Sequence, residues 1–106
     1  MKKDIYSKSI HISMLLEMYG KLLTERQADI VDLYYNQNLS LAEIGEEFNI
    51  TKQGVRKGLV EGESKLIDFE EKLGFLKAKE RRQSVIRDVI AKSKEEYTKT
   101  ELRKLL

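Results

Sequence analysis

The sequence predicts an all-α fold: a helix-turn-helix domain with a long recognition helix, followed by a helical C-terminal extension. Three observations carry this. The 106-residue chain has no proline and six scattered glycines, so its composition favours uninterrupted helices over strands and tight turns. Apolar residues recur at three- and four-residue steps along most of its length, which is helical periodicity. Between Leu39 and Leu59, two segments with helix-capping residues flank a short break at Asn49-Ile50-Thr51, the spacing of two short helices crossing steeply.

The first helix is expected from about Ile5 to Leu23, with Ile12, Leu15, Leu16, Tyr19, Leu22 and Leu23 on one broad face. Gly20 should loosen or kink its last turn. His11, the single histidine, stands just outside that face with no partner at ligand or triad spacing, so it reads as an ordinary half-exposed side chain. Thr24-Glu25-Arg26-Gln27 is a capping box, threonine at the N-cap and glutamine three residues on. The helix it opens carries Ile30, Val31, Leu33, Tyr34 and Tyr35. That tyrosine pair suits packing with hydroxyls at the surface, or stacking on a base. Asn36-Gln37-Asn38 ends it.

Ser40, with Glu43 three residues later, is a second capping box and starts the first helix of the motif. Thr51 can cap the second, which begins at Lys52. Leu41, Ile44, Phe48, Ile50, Val55 and Leu59 supply the apolar contacts between the two helices, and Gly45 leaves room where their backbones approach. Because Val55 and Leu59 face inward, Gln53, Arg56 and Lys57 point out at 100° per residue. The candidate nucleic-acid-binding residues are therefore Thr51, Lys52, Gln53, Arg56 and Lys57: lysine and arginine to neutralise phosphates, glutamine or arginine to pair with a base edge.

No strong stop follows Lys52 until about Arg82. Val55, Leu59, Gly62, Leu66, Phe69, Leu73 and Leu76 alternate four- and three-residue steps, a heptad seam. Leu59, Leu66, Phe69, Leu73 and Leu76 are the expected dimer or helix-packing seam, covered by the folded-back C-terminal segment or by a second chain. Gly54, Gly58 and Gly62 lie along one flank, marking either close backbone approach or a weak helix. Val85, Ile86, Val89 and Ile90 read as a short helix opened by Ser84. Lys92 to Glu96 reads as a turn, and Tyr97, Leu102, Leu105 and Leu106 as a last helix capped by Thr98 or Thr100. Residues 1–76 are thus the helix-turn-helix domain with its long helix, and 77–106 a basic helical extension.

Charge is uneven. Residues 1–50 carry five basic and eight acidic side chains, whereas 77–106 carry ten and five, so the net charge of +2 conceals a basic tail. That tail either adds phosphate contacts or serves as a solubilising surface. With no cysteine and one histidine, no zinc site of the usual kind is expected. There is no glycine-rich phosphate cradle and no Ser/His/Asp constellation, so neither a cofactor nor catalysis is expected. No run of about 18 apolar residues or signal-peptide core is present, which points to a cytoplasmic protein without membrane insertion.

Leu22 to Leu76 resembles the small bacterial YlxM family. The matching pieces are Leu23-Thr24-Glu25-Arg26-Gln27, Leu33-Tyr34-Tyr35, Ser40-Leu41-Ala42-Glu43-Ile44, Glu47-Phe48, Thr51-Lys52-Gln53 with Val55, and Glu70-Glu71-Lys72-Leu73. Gly54, Gly58 and Gly62 depart from that family's usual residues. Its helix-turn-helix is similar to the promoter-reading C-terminal domain of sigma factors. The resemblance implies a homodimeric, non-enzymatic accessory or regulatory protein of the signal recognition particle pathway. It would bind the particle's RNA or a DNA duplex through residues 51–53, 56 and 57. Alternatives are an adapter that binds the particle's GTPase without reading a duplex, and a DNA-binding transcriptional regulator.

Overall fold

A computed structural model describes residues 2–93 and 96–106, with side-chain surroundings for 8–93, 96 and 99–106; Ile5, Tyr97 and Thr98 are therefore outside the described side chains. Every regular element among these residues is helical: α1 (Lys2–Tyr19), a 3-10 turn (Gly20–Leu22), α2 (Glu25–Tyr35), α3 (Leu41–Phe48), α4 (Lys52–Leu73), α5 (Phe75–Lys92) and α6 (Glu96–Arg103). The α-helix gives way to the tighter turn at Gly20, where the sequence suggested loosening. Residues 1–73 form one compact unit and 74–106 another.

In the first unit, α4 packs against α1, α2 and α3. Its core is made of the predicted apolar faces: Ile12, Leu15 and Tyr19 from α1, Ile30 and Val31 from α2, Ile44 from α3, and Val55, Leu59 and Leu66 from α4 are all buried. Leu22, placed on that face by periodicity, is 57% exposed, because the 3-10 turn rotates it off the α-helical stripe. Two of the three α4 glycines lie beneath α2. A β-carbon at Gly58 would stand 2.7 Å from Ile30 Cδ1, and one at Gly62 2.8 Å from Val31 Cγ2. The glycines thus mark close helix packing, and the approaching helix belongs to the same chain. Their roughly 1 kcal/mol cost each in helix propensity is offset by the burial this approach allows.

Both capping boxes form. Gln27 N donates to Thr24 Oγ1 at 3.2 Å while Thr24 N donates to Gln27 Oε1 at 3.3 Å. The buried Gln27 amide oxygen also accepts from Lys65 Nζ at 3.2 Å, so the cap of α2 is tied to α4. At α3, Glu43 N donates to Ser40 Oγ and Ser40 N to Glu43 Oε1, each at 3.1 Å. Ser40→Ala removes a bonded cap and should lower stability by about 1 kcal/mol. Urea titration checks this, with the midpoint expected to fall at unchanged slope.

The helix expected to run from Lys52 to about Arg82 ends at Leu73. Gly74 adopts φ +62, a left-handed conformation open to glycine without a β-carbon penalty, and α5 starts afresh behind it. Leu76 therefore belongs to α5 and not to the α4 seam. Ser84, read as an N-cap, lies inside α5, a continuous helix from Phe75 to Lys92. Thr100 likewise lies inside α6, its hydroxyl donating to the Glu96 carbonyl at 2.9 Å. In the second unit α5 packs on α6, with Leu76 and Ile90 buried.

Candidate nucleic-acid interface

The bend between α3 and α4 is built from backbone chemistry that Asn49, Thr51 and Gly45 permit. Asn49 takes φ 54, the left-handed region that asparagine tolerates better than most residues. Ile50 N then donates to Gly45 O at 2.9 Å and Asn49 N to Glu46 O at 3.3 Å. These two bonds form a Schellman motif, which satisfies the carbonyls left open at the end of α3. Two residues after the cap of one helix comes the cap of the next, Thr51 Oγ1 accepting from Gly54 N at 3.0 Å. Gly45 is needed because a β-carbon there would lie 2.8 Å from the Ile50 carbonyl oxygen. Behind the bend, Ile44 and Val55 are fully buried, and the Arg26 guanidinium lies 4.4 Å from the Phe48 ring centre, a cation–π contact pinning α3 to α2.

Burying Val55 turns the rest of that turn outward. Thr51 at the cap, and Lys52, Gln53, Arg56 and Lys57 on the first two turns of α4, are all exposed. No acidic residue occupies the first turn, so the partial positive charge of the helix N-terminus adds to that of Lys52. Among the described residues no ion pair engages Lys52, Arg56 or Lys57. Such a tip can accept phosphate oxygens and present amide or guanidinium donors to base edges. Glu43, Glu46 and Glu47 are also exposed, on α3.

The seam residues part company. Leu59 and Leu66 are buried by the chain's own helices, Phe69 is half-buried with its ring centre 6.0 Å from that of Tyr19, and Leu73 is 46% exposed. His11 is exposed.

Periodicity did not reveal the polar network behind α4. The Tyr35 hydroxyl, expected at the surface, donates to Glu63, whose carboxylate also pairs with Lys8 at 3.5 Å. One heptad further along, the Tyr19 hydroxyl donates to Glu70 at 2.6 Å. The available signal was Glu63 and Glu70, seven residues apart beside an apolar seam, where an acceptor meets the hydroxyl of an inward tyrosine. Burial and the bond to Glu63 hold the Tyr35 hydroxyl well above the ordinary tyrosine pKa of about 10. Folding thus favours the protonated phenol, and this contribution is complete below pH 10 and lost as pH rises above it. Alkaline denaturation should show stability falling above pH 10, with a shallower fall in Tyr35→Phe.

A short capped helix joined to a longer one through a left-handed asparagine, with a polar tip on the second, defines a helix-turn-helix protein. The chain belongs to the UPF0122 family of YlxM/p13-like helix-turn-helix proteins, whose family model matches residues 6–106. It is 47% identical over 70 residues to a UPF0122 protein of Desulforamulus reducens, a match covering 65% of this chain and 60% of that one. To a UPF0122 protein of Acetivibrio thermocellus it is 43% identical over 86 residues, 77% of this chain and 74% of that one. To one of Halalkalibacterium halodurans it is 34% identical over 99 residues, 93% of this chain and 91% of the other. No helix among the described residues is long and apolar enough to cross a membrane.

Proposed function

We propose that the chain is a nucleic-acid-binding accessory or regulatory protein that works by binding, without catalysis, through the tip of α4. The observation that carries this reading is the clustering of Lys52, Gln53, Arg56 and Lys57, all exposed, on an acid-free helix N-terminus whose buried side holds the fold together. Arg56 and Lys57 position phosphates, and Lys52 and Gln53 approach base edges. On structured RNA the deep, narrow major groove excludes a helix, so the same side chains grip backbone and loops. The YlxM resemblance makes the RNA of the signal recognition particle the first ligand to test, and a homodimer in the cytoplasm the first assembly.

A protein adapter is the second reading. The exposed Glu46 and Glu47 on α3 favour it, since carboxylates near the tip weaken phosphate binding. Titrating the protein against signal recognition particle RNA, a random DNA duplex and the particle's GTPase at two salt concentrations separates the readings. Salt-sensitive binding to RNA or DNA supports the first. Binding to the GTPase alone overturns it in favour of the second.

A further inference from the structure

A pocket of about 620 Å³ opens at the N-terminal end of α3, away in sequence from the α4 tip. Its volume falls in the range of small-ligand sites, about 300–1,000 Å³. Lys8 and Ser9 of α1, Tyr34 and Tyr35 of α2, Asn38 of the connection and Glu43 of α3 contribute to its lining.

Four helices fix the chemistry of this lining. Tyr35 donates to Glu63 of α4, and Glu63, with only 15% of its side chain exposed, pairs with Lys8 at 3.5 Å. The Lys8 ammonium has three donors. Glu63 engages part of that capacity, and a side chain 60% exposed leaves the rest accessible. The Tyr34 and Tyr35 rings meet edge to face, their centres 5.0 Å apart and planes at 83°, so the two phenols brace each other. One Glu43 carboxylate oxygen serves the capping box, and the other can accept from a ligand. Asn38, held at φ 61, adds an exposed amide.

An aromatic ring, a cation, a carboxylate and an amide around one cavity match the parts of a nucleotide. We propose that the pocket takes an unpaired purine nucleotide, its base stacked on Tyr34, an exocyclic amino group donating to Glu43, and its phosphate on Lys8. A simple anion would be repelled by Glu43 and would gain nothing from the rings. An apolar ligand would leave Lys8 and Glu43 uncompensated. The nucleotide comes from a splayed position in an RNA held at the α4 tip, and in this the inference rests on the nucleic-acid reading. The eight residues of α3 separate pocket from tip by about 12 Å of helix, within reach of a short single strand.

A hairpin RNA carrying 2-aminopurine in its loop, a matched hairpin with the probe in its stem, and free adenosine monophosphate test this on the full chain. Stacking on Tyr34 should quench the loop probe severalfold and leave the stem probe bright. Tyr34→Leu, which keeps apolar volume without a ring, should abolish quenching and weaken loop-hairpin binding about tenfold. Lys8→Ala should weaken binding with quenching retained, and thermal melts confirm that both variants fold. If the hairpin binds and Arg56→Ala/Lys57→Ala releases it, but the loop probe stays bright in the wild type, the pocket inference falls and the nucleic-acid reading stands. If only free adenosine monophosphate binds, in a manner lost in Tyr34→Leu, the nucleotide site stands with the free nucleotide as its source and the tip reading falls. Binding of none of the three overturns both.

Discussion

Replacing Arg56 and Lys57 together by alanine should lower affinity for nucleic acid on the order of 10- to 100-fold at about 0.1 M salt while leaving the fold intact. Both side chains are exposed, and neither has an ion-pair partner among the described residues, whereas Val55 and Leu59 of the same turns are buried. Each neutralised phosphate contributes about 0.9 to the slope of log affinity against log salt on a duplex, and about 0.7 on a single strand. Under the proposed function, the double variant should therefore flatten that slope by about 1.8 on a duplex or about 1.4 on a single strand. Alanine has the higher helix propensity, so the melting temperature should hold or rise slightly. Unchanged affinity and unchanged slope would remove the tip from the binding surface.

The tip could be read from the chain because its causes are local. The two caps are side-chain-to-backbone bonds spanning three residues and the break between them is one left-handed residue closed by backbone bonds, and Ser40, Asn49 and Thr51 advertise them directly. Once the inward positions are known, helical periodicity assigns the outward ones, which is how Gln53, Arg56 and Lys57 were placed on the surface. The glycines could be read only in part. Their cost in a helix requires some reason, but nothing local names the neighbour, and Ile30 and Val31 lie about thirty residues away.

What sequence reasoning missed depends on contacts between distant residues or on a single dihedral. The bond from Tyr35 to Glu63 joins α2 to α4 across 28 positions. The pocket it underlies is assembled from α1, α2, α3 and the loop before α3, so no spacing along one element could reveal it. The end of α4 is a different kind of miss. Gly74 follows a last turn containing Lys72, a recognised stop signal. The apolar steps of four and three that continue through Leu73 to Leu76 outweighed it, although the helix ends at a left-handed glycine there.

That break separates the seam into parts with unequal consequences, which two substitutions resolve. Leu66 is completely buried among α4 and the helices packed on it, so Leu66→Ala deletes buried methyl groups and leaves a cavity, costing about 2–5 kcal/mol. Against the 5–15 kcal/mol typical of a whole domain, that removes a large share of the total and should lower the melting temperature by many degrees. Leu73, the last residue of α4 and directly before the break at Gly74, is 46% exposed, and Leu73→Ala should cost no more than about 1 kcal/mol in a single chain. If a second copy covers Leu73, its loss acts on association instead, and the denaturation midpoint of the wild type depends on protein concentration where that of the variant does not. Unfolding both variants at two protein concentrations therefore distinguishes packing within the chain from packing between chains: a large, concentration-independent effect at Leu66 with almost none at Leu73 assigns the seam to the interior of one chain.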